Sequence, residues 1–305
     1  MTSPSSAKMD RSGNAIGAAL IVGAVFLMAG QDALIKYMSV DLALGQIFLL
    51  RSTMVLPLLT LLYRRGAGQA WRGALAPWPL LRGFFLTLMY MTLYSVIDIL
   101  PLASLAAGFY TGPLFITLLA ALLLKERVGA FGWAGVSVGF LGVLVLLRPG
   151  AVAFTPAALI PVLSGFLYAL AAILARGKCR SDAPVSLALS LNLALLAGGA
   201  AISGLAYLLW PGGNEGSFLV RVWAPMTAGE WRLIAMLAIL MVGIGLGLAA
   251  AYQKAAPSIA AAFDYSYLIF ATLFGFVLFA ETPGLPTVTG MVLIASAGFL
   301  ALLKR

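Results

Sequence analysis

The stretch LPLASLAAGFYTGPLFITLLAALLLKERVGAFGWAGVSVGFLGVLVLLRPG, Leu100 to Gly150, decides the fold. It carries two apolar runs, Leu102 to Leu124 and Phe131 to Leu147, parted by the charged cluster Lys125, Glu126 and Arg127. A helix needs about 20 apolar residues to cross a bilayer core, so each run is long enough to span. Neither run alternates with the period of a barrel strand, and lipid satisfies no open backbone, which leaves helices. Reading outward gives comparable runs at about Ala15 to Met38, Leu42 to Tyr63 and Leu80 to Ile97 before the stretch. After it come Ala157 to Ala175, Val185 to Leu209, Ile234 to Tyr252, Ile259 to Phe279 and Thr287 to Leu303. The prediction is an all-α integral membrane protein with ten transmembrane helices.

Composition agrees. Of 305 residues, 62% are hydrophobic and 10% charged, with a mean hydropathy of +1.04, against about 25% charged in a soluble domain. No room remains for a separate soluble domain. The net charge of +9 reports topology and not nucleic-acid binding, because the basic residues sit in short loops. With the N-terminus inside, Lys8, Arg11, Arg64, Arg65, Arg72, Arg82, Lys125, Arg127, Arg176, Lys178, Arg180, Lys254, Lys304 and Arg305 all face the cytoplasm. Only Arg148, Arg221 and Arg232 lie outside, so the positive-inside bias places both termini in the cytoplasm. A single cysteine, Cys179, excludes an internal disulfide, and the absence of histidine removes the usual metal ligand and neutral-pH proton shuttle. No metal or cofactor is expected. The polar N-terminus, MTSPSSAKMDRSGN, has no apolar core before a small-residue site, so no removable signal peptide is expected.

The stretch also has a partner in the chain. An offset of 155 residues sets Ala106, Ala107, Tyr110, Glu126 and Gly135 on Ala261, Ala262, Tyr265, Glu281 and Gly290, with Thr111 on Ser266. An offset of 140 sets FLMA at Phe26 to Ala29 on FLYA at Phe166 to Ala169, and Lys36 on Arg176. The expected organisation is a cytoplasmic tail at 1–13, a five-helix repeat at 14–148, a linker at 149–155 and a second five-helix repeat at 156–305. Five is odd, so the second repeat enters the membrane inverted, the architecture of alternating-access transporters. Chance similarity between Leu- and Ala-rich segments is the competing explanation, and the matched glutamates weaken it.

The Leu100 to Gly150 stretch resembles the end of an EamA domain of the drug/metabolite transporter superfamily. AAFDYSYLIFATLFGFVLFAE, Ala261 to Glu281, resembles the matching end of a second such domain. DALIK at Asp32 to Lys36, GQIFLLR at Gly45 to Arg51 and DYSYL at Asp264 to Leu268 are similar to a bacterial group containing riboflavin and S-adenosylmethionine transporters. They depart from the aromatic amino-acid exporter branch. The resemblance implies secondary transport of small metabolites across the inner membrane, without covalent chemistry or nucleotide.

Four ionisable residues fall inside the expected spans: Asp32, Lys36, Arg51 and Asp264. Unpaired at a helix centre, each would cost about 2.5–3.5 kcal/mol, so they must be paired or line water. Asp32 and Lys36 are four apart, the spacing of an intrahelical ion pair. Arg51 has Gln46 nearby, and its structural alternative is a bond to carbonyls or to Asp32. Asp264 has no basic neighbour on its own helix, so a partner must come from another span, with Arg51 the nearest candidate. The functional alternative has Asp264 and Arg51 facing a central cavity, joined by Asp32 and Gln46, and taking a zwitterion or neutral polar ring because the four charges cancel. Asp32 and Asp264 are also the coupling candidates if protons drive transport; uncoupled transport is the alternative. Tyr90, Tyr94, Tyr110, Tyr168, Tyr265 and Tyr267 lie away from the interfacial belt, which implies a polar site. Tyr90, Tyr94, Tyr110 and Tyr265 are the substrate-binding candidates among them. Glu126 and Glu281 serve as fold markers at span ends.

Gly132, Gly135, Gly139 and Gly142, and the pair Gly243 and Gly247, form small-residue faces for helix packing; a homodimer is the second reading. Pro113 and Pro161 interrupt their spans. Trp71, Trp78, Trp210, Trp223 and Trp231 read as interfacial anchors. The expected partners are a small-molecule substrate and the lipid bilayer, with no nucleic acid. Within transporters, an amino-acid or drug exporter of the same superfamily is the alternative; substrate identity and direction stay open. A channel and an intramembrane enzyme are the rivals from other classes, and the sequence lacks HExxH and GxSxG motifs.

Overall fold

Lipid forces the backbone to satisfy itself, and the chain does so with helices. The computed structural model describes residues 4–125, 129–147, 155–209, 217–254 and 263–302, and no strand occurs among them. The helices are α1 (Pro4–Met38), α2 (Leu44–Leu62), α3 (Ala67–Ala74), α4 (Pro77–Tyr94), α5 (Leu102–Phe109), α6 (Gly112–Leu123) and α7 (Ala130–Leu147). They continue with α8 (Ile160–Gly177), α9 (Pro184–Leu209), α10 (Ala228–Lys254), α11 (Ser266–Phe279) and α12 (Leu285–Leu302). Seven of the described helical stretches are long and apolar enough to cross a membrane, and Ser266–Phe279 and Leu285–Ala297 are shorter apolar helices. The chain is a multi-pass membrane protein. Helix α1 starts at Pro4, so much of the segment expected as a tail is helical, and the basic connection after α2 contains the short helix α3.

Helix α1 packs on α10 and α11, α2 on α9 and α10, and α4 on α8 and α9; α5 packs on α8 and α11, and α7 on α12. Glycines set two of these contacts. A Cβ on Gly142 would lie 2.9 Å from Leu293 Cβ and 3.1 Å from Gly290 O, which is how the small-residue face of α7 brings α12 to its backbone. Gly45 and Gly199 meet the same way between α2 and α9. The expected face on α10 is only half realised: Gly247 approaches Ala24, while nothing lies within 4 Å of Gly243.

One expected span is broken. Helix α5 stops at Phe109, the chain turns through Tyr110 and Thr111, and α6 starts at Gly112 with Pro113 in its first turn, where no N–H is needed. Pro161 likewise stands in the first turn of α8. A second break occurs at Tyr265, before α11. The details recur at the 155-residue offset. Thr111 Oγ1 donates to Gly108 O (2.7 Å) and Ser266 Oγ to Phe263 O (2.6 Å). Thr117 donates to Pro113 O and Thr272 to Leu268 O. Lys125 and Ala280, each with φ of 54°, are the positive-φ non-glycine residues among those described. Glu126 itself lies outside the described residues.

Gly142→Leu is expected to destabilise the protein by about 1–3 kcal/mol through overpacking against α12. Gly243→Ala, which meets nothing, is expected to leave stability within about 1 kcal/mol of the parent. Thermal unfolding of both variants in detergent checks the contrast.

Candidate substrate site

The intramembrane acids are held by tyrosine hydroxyls, not by cations. Asp32, on α1, is buried; its Oδ1 accepts from Tyr94 Oη of α4 at 2.7 Å and its Oδ2 from Tyr267 Oη of α11. Asp264 sits at the second helix break, where Tyr110 Oη donates to its carbonyl (3.1 Å) and to its Oδ2 (3.3 Å). The two acids are linked through rings, because Tyr110 stacks on Tyr267 with centroids 5.1 Å apart and planes at 14°. Tyr265 is 5.5 Å from Tyr110, so the two break residues meet in space, and the Tyr265 hydroxyl has no hydrogen-bond partner among the described residues.

On the other side of Asp32, Tyr94 stacks on Tyr90 (5.6 Å, 29°) and both rings approach Phe48 edge-on. Phe48 leads to Arg51, whose guanidinium lies 5.4 Å from the ring centroid. Arg51 has 0% exposure, and its Nε, Nη1 and Nη2 have no hydrogen-bond partner among the described residues. Its field reaches Asp32, Tyr90 and Tyr94 without a hydrogen bond to them. The result is one band, Arg51, Phe48, Tyr90/Tyr94, Asp32, Tyr267, Tyr110, Asp264, drawn from α2, α4, α1, α11 and the two helix breaks.

Lys36 does not pair with Asp32, four residues earlier. Its Nζ reaches Glu281 Oε1 at 2.5 Å and Leu100 O at 2.6 Å, and it lies over the Phe279 ring. Local backbone explains the choice. Ala280 closes α11 in the left-handed conformation, with Glu281 N returning to Gly275 O, which folds the Glu281 side chain back over the helix end. Gly275 makes room, since a Cβ there would come within 2.6 Å of Glu281 Oε2. That oxygen accepts from Leu102 N at the start of α5 (2.7 Å), where a helix N-terminus favours negative charge. One knot thus joins α1, α5 and α11 at this end of the bundle, and Glu281 both caps and pairs.

The same end is covered by residues 217–227. Gln46, a cavity candidate by sequence, spends both ends of its amide there: Nε2 donates to Ala224 O (2.9 Å) and Oε1 accepts from Ala224 N (3.2 Å). This is a structural engagement and not a free ligand group. Arg221 donates to Ser39 O and Val40 O, and Trp223 Nε1 to Ser203 Oγ. Arg51 and Asp264 are not brought together as a pair; Asp264 takes Tyr110 in place of a cation. Two cavities lie off the band: one of about 580 Å³ is lined by Leu56, Thr60, Arg64 and Trp71, and one of about 200 Å³ by Leu100, Ser104 and Leu147.

The family model of EamA-like transporters matches residues 15–148. That segment is an EamA domain. A riboflavin transporter of Vibrio cholerae is 26% identical over 238 residues, covering 77% of this chain and 74% of its own. A pseudopaline exporter of Pseudomonas aeruginosa is 28% identical over 283 residues, covering 92% of this chain and 94% of its own. A solved crystal structure superposes over 95% of this chain and 96% of its own with a TM-score of 0.55 at 20% identity, which extends the fold likeness to the full length. With an EamA match in its first half and relatives that are named as transporters, the chain reads as a small-metabolite transporter.

Lys36→Met leaves Glu281 in a half-closed site without its cation, and is expected to cost about 3 kcal/mol. Adding Glu281→Gln, which keeps an acceptor for Leu102 N–H, is expected to recover most of the loss. A double-mutant cycle by thermal unfolding measures the difference.

Proposed function

We propose that this EamA transporter has ten spans in two inverted five-helix halves, 14–148 and 156–305, and works by alternating access in the inner membrane with both termini cytoplasmic. Support for the halves comes from the local features that recur at 155 residues: the Tyr110 and Tyr265 breaks, the Thr111 and Ser266 hydroxyl bonds, and the Lys125 and Ala280 left-handed residues. Discontinuous helices at the meeting of two repeats are where such transporters place their sites. The substrate is a small polar or amphipathic metabolite bound along the tyrosine and carboxylate band. The observation that carries this is the convergence of Asp32 and Asp264 on the Tyr267 and Tyr110 pair at both breaks.

Roles follow from chemistry. Tyr90, Tyr94, Tyr110 and Tyr265 offer aromatic faces, and the Tyr265 hydroxyl and Arg51 guanidinium, without hydrogen-bond partners among the described residues, offer donors. Asp32 and Asp264 are the coupling groups, since protonating either carboxylate would change its bonds to tyrosines on other helices. In this orientation the Lys36–Glu281 knot and residues 217–227 close the periplasmic side, and releasing Glu281 from Lys36 and Leu102 N frees α1, α5 and α11 from one another. Names carried by relatives place riboflavin and pseudopaline first among candidates. The relatives are named as transporters, which supports reading the protein as a carrier rather than an enzyme.

The test is uptake into proteoliposomes of radiolabelled riboflavin, S-adenosylmethionine and aromatic amino acids. At least one is expected to enter saturably. Asp32→Asn and Tyr267→Phe, which each disturb a hydrogen bond to a charged group, are expected to slow that uptake by about tenfold or more. Saturable uptake of none of them by folded protein, or uptake unchanged in both variants, would overturn the assignment of this band.

A further inference from the structure

Resting on the carrier reading above, we infer that the transported molecule presents a carboxylate to Arg51. An arginine stays charged in any protein environment and carries five N–H donors in a planar fork. A buried charge without a partner costs several kcal/mol, yet all three nitrogens of the fully buried Arg51 lack a hydrogen bond among the described residues. Its contact with the Phe48 ring engages none of those donors as a hydrogen bond.

The neighbouring acids do not fill the gap. Asp32 is within electrostatic reach, but its two oxygens are taken by Tyr94 and Tyr267. Asp264 is turned to Tyr110, and Glu281 is committed to Lys36 and Leu102 N. The four intramembrane charges cancel as a sum over the sequence, but the structure gives hydrogen bonds to three of them and none to Arg51 among the described residues. A guanidinium fork is complementary to a carboxylate, which it binds through two parallel N–H···O bonds. The half-buried Tyr90 ring, stacked on Tyr94 and beside Phe48, supplies an aromatic contact for the rest of the molecule. The class is a planar or aromatic carboxylate.

The test compares acids with their amides. Detergent-purified full-length protein is unfolded thermally with benzoate, 3-phenylpropionate and indole-3-acetate, each beside its neutral amide, for the parent, Arg51→Gln and Arg51→Lys. In the parent at least one acid is expected to raise the unfolding temperature saturably and to bind about tenfold or more tighter than its amide. Arg51→Gln is expected to erase that preference, and Arg51→Lys, which keeps the charge without the fork, to weaken it. Without ligand, Arg51→Gln is expected to unfold at or above the parent temperature, because an unpaired buried charge has been removed. Equal binding of acid and amide, no shift with any acid, an acid preference that survives Arg51→Gln, or a marked loss of ligand-free stability in that variant would each overturn the inference. The uptake assay separates the two levels: riboflavin carries no carboxylate, so its saturable transport removes the carboxylate and leaves the carrier standing.

Discussion

Charge in hydrocarbon is the constraint on which the rest of this structure depends. Water is not available to solvate an ionised side chain within the bilayer, so each must find hydrogen bonds or a counter-charge inside the bundle. The solution here is specific. Asp32 is enclosed by two phenol donors and Asp264 faces a third, while Lys36 finds Glu281 on another helix. Each of these bonds crosses between helices, so the same contacts that make the charges tolerable also tie α1, α4, α5 and α11 together. Only Arg51 among the four is left without hydrogen-bond partners in the described residues.

Backbone irregularity is concentrated where those bonds are made. Tyr110 and Tyr265 both lie at breaks between helical segments, and the left-handed Ala280 turns Glu281 back toward Lys36. A continuous α5–α6 helix would carry Tyr110 on a regular face; the turn instead sets its ring flat on Tyr267 with its hydroxyl on Asp264. Irregular backbone at membrane depth is tolerated when protein surrounds it, and Thr111 and Ser266 each supply a hydroxyl bond to a carbonyl three residues before. The proposed rocking of two halves would act on these joints, because the tyrosine and carboxylate bonds cross them.

Long apolar runs separated by basic loops made the helices legible from the sequence, since hydrophobic length and the positive-inside bias are properties of the chain and need no tertiary information. The 155-residue correspondence of Tyr110 with Tyr265 was legible for the same reason, and Asp32, Asp264, Arg51 and the tyrosines stood out because polar groups in apolar runs are rare. Tyr267 was visible as a tyrosine within a span but not as the second donor to Asp32, and Phe48 carried no signal, being one apolar residue among many. The partner of Lys36 was misjudged because i, i+4 spacing shows which groups can meet on one helix, and says nothing of a glutamate 245 residues away.

The sequence by itself determined that this is a helical multi-pass membrane protein and which few residues carry charge or hydroxyls where lipid would penalise them. Those follow from transfer free energies, which are local and roughly additive along a chain. Only the tertiary structure decided that tyrosines shield the acids, that Gln46 is consumed by the Ala224 backbone, that Glu281 takes Lys36, and that the Arg51 fork finds no hydrogen bond among the described residues. Hydrogen bonds form over about 3 Å and depend on direction, so pairing is settled by which helices lie against each other and where their backbones break.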